Sequence, residues 1–391
     1  MVSIQTADGG LKSFYLDAMT EALDLKANPL LAKIGRSTAD VYGKDVRKAV
    51  RFGVNGGVGA GSETGNLPKA SDGEYLQFTS TLKNLYGTIE ISDKALRAAQ
   101  HNEGAFVNLL NDQMDSLVKS AKFNFGRMLF GDGTGSLAKV TDIPENGKIF
   151  VDNTKAFVEG MMVTFRKDGY ELVAIGGCRT VLSVNREENY ITVSGEEITG
   201  NTLAVDSDVC VQTSENFEIT GLGAIFKDDG TLYGVDKTKY GMMKPYKKTD
   251  VGEISENVIQ TAIDKIEESS GSKIDFIVCS WGVKRALAEA YRKRNAVLPT
   301  MELAGGFNAV SFNGIPVVAD RFCPDGTMYL LNTEDFKIHQ LCDWQWLEGE
   351  DGKILKQVAG KPVYTATLVK YAELMCERPF GQGVLSGITE A

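Results

Sequence analysis

The stretch Gly53–Gly65, GVNGGVGAGSETG, holds six glycines in thirteen residues. It is the part of the chain whose residue types come closest to a phosphate-binding loop. Such a loop works when it joins a buried strand directly to a helix, because the helix N-terminus then turns free N–H groups and the positive end of its dipole toward the anion. Here Gly57, Gly59 and Gly61 start the G-x-G-x-x-G spacing, but Ser62 occupies the third required position. The residues that follow, ETGNLPKASDGEY, include Pro68 and show no helical period. The other phosphate motif fails as well, since the Gly-Lys pairs at 43–44, 147–148, 352–353 and 360–361 all lack the following Ser or Thr. The glycines therefore point to a mechanical use.

No other constellation carries chemistry. FGDGTGS, residues 130–136, follows a helical pattern instead of preceding one, so its amides sit where the helix dipole repels phosphate. It reads as a helix stop with Gly131 in a left-handed cap. There is no G-x-S-x-G elbow and no H-E-x-x-H. The two histidines, His101 and His339, are more than two hundred residues apart and read as packing or surface residues. Glu187-Glu188 and Glu196-Glu197 fall in turns and read as a solvated face, and no D-x-[DN]-x-[DN]-G pattern supports calcium. Arg292, Lys293 and Arg294 end a helix, where cations also complement the dipole. Trp344 and Trp346 fit either an exposed aromatic anchor or alternation on a strand. No catalytic residue, cofactor or metal is expected.

Composition narrows the class. The chain has 391 residues, 43% hydrophobic and 24% charged, which suits two or three globular domains. A net charge of −10 disfavours a protein that coats duplex DNA. There is no signal-peptide pattern and no apolar run of about eighteen residues. The six cysteines (Cys178, Cys210, Cys279, Cys323, Cys342, Cys376) are scattered without C-x-x-C and read as reduced thiols.

The elements that position the glycine stretch follow from periodicity. Residues 10–34 carry an amphipathic arm marked by Leu11, Phe14, Tyr15, Ala18, Met19, Leu23 and Leu25, interrupted at Asn28-Pro29. GKDVRKAVRFGV and YLQFTSTLKNLYGTIEIS flank the glycines as two extended runs, which makes a long hairpin with a polar tip. From an N-cap at Asn102, Phe106, Leu110, Leu117, Ala121, Phe125 and Met128 keep a 3/4 spacing. This predicts a helix of about 27 residues, roughly 40 Å long. Residues 140–215 switch to alternation, with Val163 and Phe165 inward and a hairpin turning at Asn185–Asn189. Positions 140–213 hold twelve acids against six bases, so most of the excess acidity lies there. Beyond them, ISENVIQTAIDKIEES and WGVKRALAEAYRKRN read as helices, KIDFIVCS as a buried strand and Asn313-Gly314 as a hairpin turn.

This ordered set resembles the tailed-bacteriophage major capsid proteins of the Hong Kong 97-type fold. LVKSAKFNFGRMLFGDGTGS looks like the family's spine helix and its stop. IDFIVCSWGVKRALAEAYR with NGIPVVADRF and PDGTMYLLN looks like the core of its axial domain. The resemblance covers about residues 10–135 and 250–385, and 140–215 lies outside the minimal pattern. It implies an α+β fold made of an N-terminal arm (1–40), an extended hairpin loop and peripheral-domain strand (41–90) and a peripheral domain with the spine helix (91–139). An inserted β domain (140–215), an axial domain (216–340) and return strands with the C-terminus (341–391) complete it.

The function implied is structural, as a virion protein made in the cytoplasm of a bacterial host. Pentamers and hexamers would tile an icosahedral head around double-stranded DNA touched non-specifically at most, with no membrane involved. The resemblance also implies a portal and decoration proteins. Because the arm starts within about ten residues of Met1, a separate scaffolding protein is expected. The family's Lys–Asn cross-link motif has no residue-by-residue match. An encapsulin-like compartment shares the fold, and a nucleotide-binding enzyme is the rival from another class. The intersubunit contact loop expected from this reading is Gly53, Asn55, Gly56, Gly57, Gly59, Gly61, Glu63 and Gly65. A lone hairpin is marginally stable in water, and six fixed glycines cost roughly 3–6 kcal/mol relative to alanine. Such a loop makes sense if its partner surface is on another copy.

Overall fold

The structure is a computed structural model that describes residues 28–53, 55–69, 73–94, 103–167, 170–171, 177–199, 202–293, 300–303, 307–349 and 352–391. The amphipathic run at 11–25 and His101 lie outside them. Asn28 begins the described chain with a turn, its Oδ1 accepting from the N–H of Leu30 (2.8 Å) and Leu31 (3.2 Å), both of which are buried.

A five-stranded sheet is built around the long strand Val363–Cys376. Phe336–Trp346 pairs antiparallel with its C-terminal half, and Gly35–Ser37 adds in parallel beyond that. Lys83–Ser92 pairs with Val363–Ala372 on the other side. Trp344 and Trp346 are both buried with exposed Gln345 between them, which is strand alternation. The long helix α1, Glu103–Met128, lies on this sheet. Gly87 allows the close approach: a Cβ there would be 2.8 Å from Leu117 Cδ1.

α1 does not stop at a left-handed Gly131. Its last turn tightens instead, with Phe130 N–H donating to Arg127 O and Gly131 N–H to Met128 O. The left-handed glycines are Gly133 and Gly135, at φ +83° and +81°. The sequence reading missed that another segment closes this helix end. Leu222 N–H donates to Leu129 O (2.8 Å), and Gly221 packs directly on the terminal carbonyls. Arg127 and Glu218, both buried, form a two-pronged ion pair at 2.5 and 2.8 Å. Breaking such a pair from one side costs about 3–5 kcal/mol. The single-turn helix α2, Leu222–Ile225, is closed in turn by buried Lys237, whose Nζ donates to the carbonyls of Ala224, Ile225 and Lys227 at 2.6–2.7 Å.

A seven-stranded mixed sheet follows, ordered Tyr246–Lys248, Gly383–Leu385, Met328–Leu331, Phe276–Cys279, Ile315–Ala319, Phe307–Phe312 and Thr300–Leu303. Asn313 and Gly314 take φ +49° and +85°, as a two-residue hairpin turn requires. Helices α3, Glu256–Ser270, and α4, Trp281–Lys293, cover one face. Ile259, Ile266, Val283 and Leu287 there meet Ile277, Val317, Met328 and Leu330. The alternate residues, Phe276, Val278, Val318, Tyr329 and Leu331, join a second core that runs through α2 to the five-stranded sheet.

Residues 136–211 make another seven-stranded sheet with its own core, centred on Phe157, Val163, Phe165, Val181, Ile191 and Val209. A bridge between Val140 and Val151 joins the two ends of its strand order, Ser136–Lys139 and Ile149–Phe150. The sheet thus closes on itself, which removes exposed edges. The chain enters and leaves side by side: Asn216 N–H donates to Thr134 O (2.9 Å), and a Cβ on Gly135 would be 2.5 Å from Ser214 O. All six cysteines are free thiols. Among the described residues, no helix is long and apolar enough to cross a membrane.

A Cβ at residue 221 would be 2.4 Å from Met128 O, 2.5 Å from Gly131 O and 2.7 Å from Leu129 O, all backbone atoms fixed by α1. Gly221→Ala should therefore destabilise the chain by about 3 kcal/mol in urea unfolding. Gly241→Ala, where a Cβ meets nothing within 4 Å, should change it by no more than about 0.5 kcal/mol.

Candidate functional site

The glycine stretch lies at the tip of an arm. Strands Asp45–Phe52 and Glu74–Thr81 pair antiparallel in unbroken register from Asp45↔Thr81 to Phe52↔Glu74. Alternation gives the hairpin one apolar face of Val46, Val50, Leu76 and Phe78. Val46 and Phe78 at the base are fully buried, and Val50 and Leu76 further out are half-buried. Residues 55–69 are exposed apart from half-buried Gly57, and Val58 and Leu67 stand 88% and 89% exposed. The tip therefore touches almost nothing of its own chain.

All eight expected contact residues are on this tip. Asn55 Oδ1 accepts from Gly57 N–H (2.8 Å), and Gly65 N–H donates to Ser62 O (3.1 Å). Gly53 alone of the six glycines turns left-handed, at φ +72°. Gly59, Gly61 and Gly65 are not left-handed, and a Cβ on Gly65 would be 2.6 Å from Ser62 Oγ. A strand, Glu74–Thr81, follows the loop where a phosphate site would need a helix. No cluster of metal-ligating side chains occurs among the described residues. His339 is fully buried with Nδ1 3.1 Å from Ala39 O, tying down the turn after Gly35–Ser37, and burial pulls its pKa below the usual value.

The arm is held at a joint that sequence reasoning did not find. Thr79 N–H donates to Tyr233 O (2.9 Å), and the Phe78 and Tyr233 rings lie 5.7 Å apart. The Tyr233 hydroxyl donates to Leu374 O (3.2 Å) and accepts from Cys376 N–H (3.0 Å), completing the strand edge past the point where Lys83–Ser92 stops pairing. Tyr233 does this at φ +52°, a costly conformation for a bulky side chain. Beside it, Glu373 is fully buried in the long strand. Its carboxylate accepts from Thr220 N–H (2.6 Å), Leu374 N–H (3.0 Å) and the Ser80 hydroxyl of the arm (3.3 Å). Lys48 adds an outer tie, bonding Asp40 at 2.9 Å and lying 3.4 Å from Glu377. A charged residue inside the apolar run TLVKYAELMC was the one visible signal. Tyr233, in the turn LYGV, offered none.

Comparison with known proteins places the fold. No family model matches the chain, and no curated protein sequence does. Among solved structures, the cyanophage A-1(L) capsid asymmetric unit shares 12% identity over 94% of this chain and 94% of that one, with a TM-score of 0.55. The capsid of Myoviridae phage XM1 shares 10% over 93% and 92%, with a TM-score of 0.48. The holo-SrpI encapsulin complex of Synechococcus elongatus PCC 7942 shares 10% over 93% and 88%, with a TM-score of 0.49. The chain has the α+β phage-capsid fold that its element order resembled.

Burial pushes the Glu373 carboxyl up to about 7, against the opposing pull of the Thr220 and Leu374 amides. Its folded-state pKa lies above the unfolded one, so its penalty is absent well below pH 4.5, grows as pH rises and is full above about 7. Asp320 and Asp335, each raised to about 6 by burial, act in the same direction. Glu373→Gln keeps an acceptor for Thr220 and removes one such group. Its stability relative to wild type should therefore rise between pH 5 and pH 8 by about 3 kcal/mol, read from urea midpoints. A constant difference across that range would contradict the assignment.

Proposed function

We propose that this chain is a structural major capsid protein whose copies assemble as pentamers and hexamers of an icosahedral phage head around double-stranded DNA. The observation that carries this reading is the fold shared end to end with a capsid chain. The arm supports it, since a hairpin with exposed Val58 and Leu67 at its tip is stable only with a surface to cover it. Gly53, Asn55, Gly56, Gly57, Gly59, Gly61, Glu63 and Gly65 then form the loop that reaches a neighbouring subunit. The absent side chains let one sequence bend differently at non-identical positions in the shell. No chemistry is assigned to the chain, and the fold is used as a tile.

Within that reading, residues 1–40 are the N-terminal arm, 41–90 the hairpin loop and first peripheral strand, and 91–139 the peripheral domain with α1. Residues 216–340 form the axial domain and 341–391 return to the periphery. The acidic barrel is an insertion whose cut points are best set at Gly135 and Ser214, which lie against each other.

Negative-stain microscopy of the purified chain should show closed particles. Discrete small oligomers under all conditions would sink the reading, and an enclosed protein cargo in place of DNA would favour a nanocompartment shell. Deleting Gly53–Gly65 should leave subunit melting near that of wild type while particle yield collapses in sedimentation. Loss of the subunit's own fold would argue against an intersubunit loop. Replacing 136–213 by a short Gly-Ser linker removes a closed barrel and its contacts from Lys155 to Cys323 O and Asp325. The remaining chain should still unfold cooperatively, with its midpoint lowered by the equivalent of about 1 kcal/mol.

A further inference from the structure

Strand Lys83–Ser92 borders the five-stranded sheet. Its inner edge pairs residue by residue with Val363–Ala372. Among the described residues, no backbone bonds to its outer edge over Asn84–Ile91. Alternate residues of an antiparallel strand turn their N–H and C=O to opposite sides, so about four amides of this segment face outward. Natural edges are usually blunted by Lys, Pro, a bulge or a cover. Asn84–Ile91, NLYGTIEI, has neither Lys nor Pro, and its register is unbroken. Gly87 is accounted for by Leu117 on its inner face. Exposed Asn84, Tyr86, Thr88 and Glu90 alternate with buried Leu85, Ile89 and Ile91.

The same chain carries a matching set of unpaired backbone groups. Within 55–69 the one backbone-to-backbone bond among the described residues is Gly65 to Ser62. The tip cannot serve its own edge. Glu74–Thr81 runs from the tip straight into Lys83–Ser92, which puts about 27 Å of strand between them, and the exposure of Val58 and Leu67 shows the tip standing clear. Tyr86, 60% exposed beside the edge, offers a ring for either of those side chains.

We propose that the outer edge of Asn84–Ile91 is a docking strand that pairs with the arm tip, residues 55–69, of a neighbouring copy. This rests on the shell reading and names the surface that the arm meets. Main-chain pairing supplies the attachment and tolerates shifts of register, which suits a tip poor in side chains. The occupant is a second copy because the unpaired tip and the unpaired edge occur on every copy and cannot meet within one.

Hydrogen exchange read by mass spectrometry on full-length chain, free and in assembled particles, tests this. About four amides of 84–91 should slow on the order of 100-fold on assembly, together with amides of 55–69. Thr88→Cys combined with Val58→Cys or Leu67→Cys, with exposed Cys178 changed to Ser, should give chain-to-chain disulfides in particles. These should vanish when either cysteine is reverted. Particles whose 84–91 amides exchange as fast as in free subunits would overturn the pairing and leave the shell reading intact. Full protection already in the free subunit would assign the edge to a segment of its own chain and also overturn it. So would a protected edge with no cross-link from either pair, which would mean another occupant. A chain that forms no particles overturns the shell reading, and this proposal with it.

Discussion

The buried end of α1 is the constraint on which the other parts depend. A helix leaves its last carbonyls without internal partners, and this end is closed off from water. Residues 218–225 satisfy it through the Leu222 amide, the bare Cα of Gly221 and the Arg127–Glu218 pair. This segment and the residues on either side of it also tie in the other parts. Thr220 reaches Glu373 of the five-stranded sheet. Asn216, just before the segment, pins the exit of the barrel to its entrance. α2 carries the core toward the second sheet, and Lys237 locks it. Tyr233, a short loop further on, holds the arm.

With its base so fixed, the arm behaves as a lever. Burial falls from complete at Val46 and Phe78 to a single half-buried residue, Gly57, across 55–69. The base is packed into the core while the tip is left exposed to solvent. The joint combines one hydroxyl bond from Ser80 to a buried carboxylate with a tyrosine held left-handed.

Much of the fold was legible because it rests on periodicity. The 3/4 spacing of Leu117, Ala121, Phe125 and Met128 marked α1, alternation at Val163 and Phe165 marked the barrel, and Asn313-Gly314 marked its turn. The glycine stretch was recognisable as a hairpin tip because the flanking runs are strands and no helix follows. What stayed hidden depends on long-range approach. Gly131 is a reasonable cap from local rules, but it does not turn left-handed, and the Leu222 N–H, some ninety residues on, bonds Leu129 O at the helix end. The Arg127–Glu218 pair joins residues 91 positions apart, which no local pattern signals. Tyr233 gives no sign in sequence of bridging Leu374 and Cys376. The free edge at Asn84–Ile91 looked like any alternating strand, since pairing partners are set by topology.

The central claim is that the arm's missing partner is another copy of the chain. A cryo-electron microscopy reconstruction of the assembled protein tests it most directly. The account predicts a closed shell in which residues 55–69 of each subunit lie against a different subunit, with Val58 and Leu67 covered. A reconstruction in which the tip folds back on its own subunit, or still projects free into solvent, would contradict it.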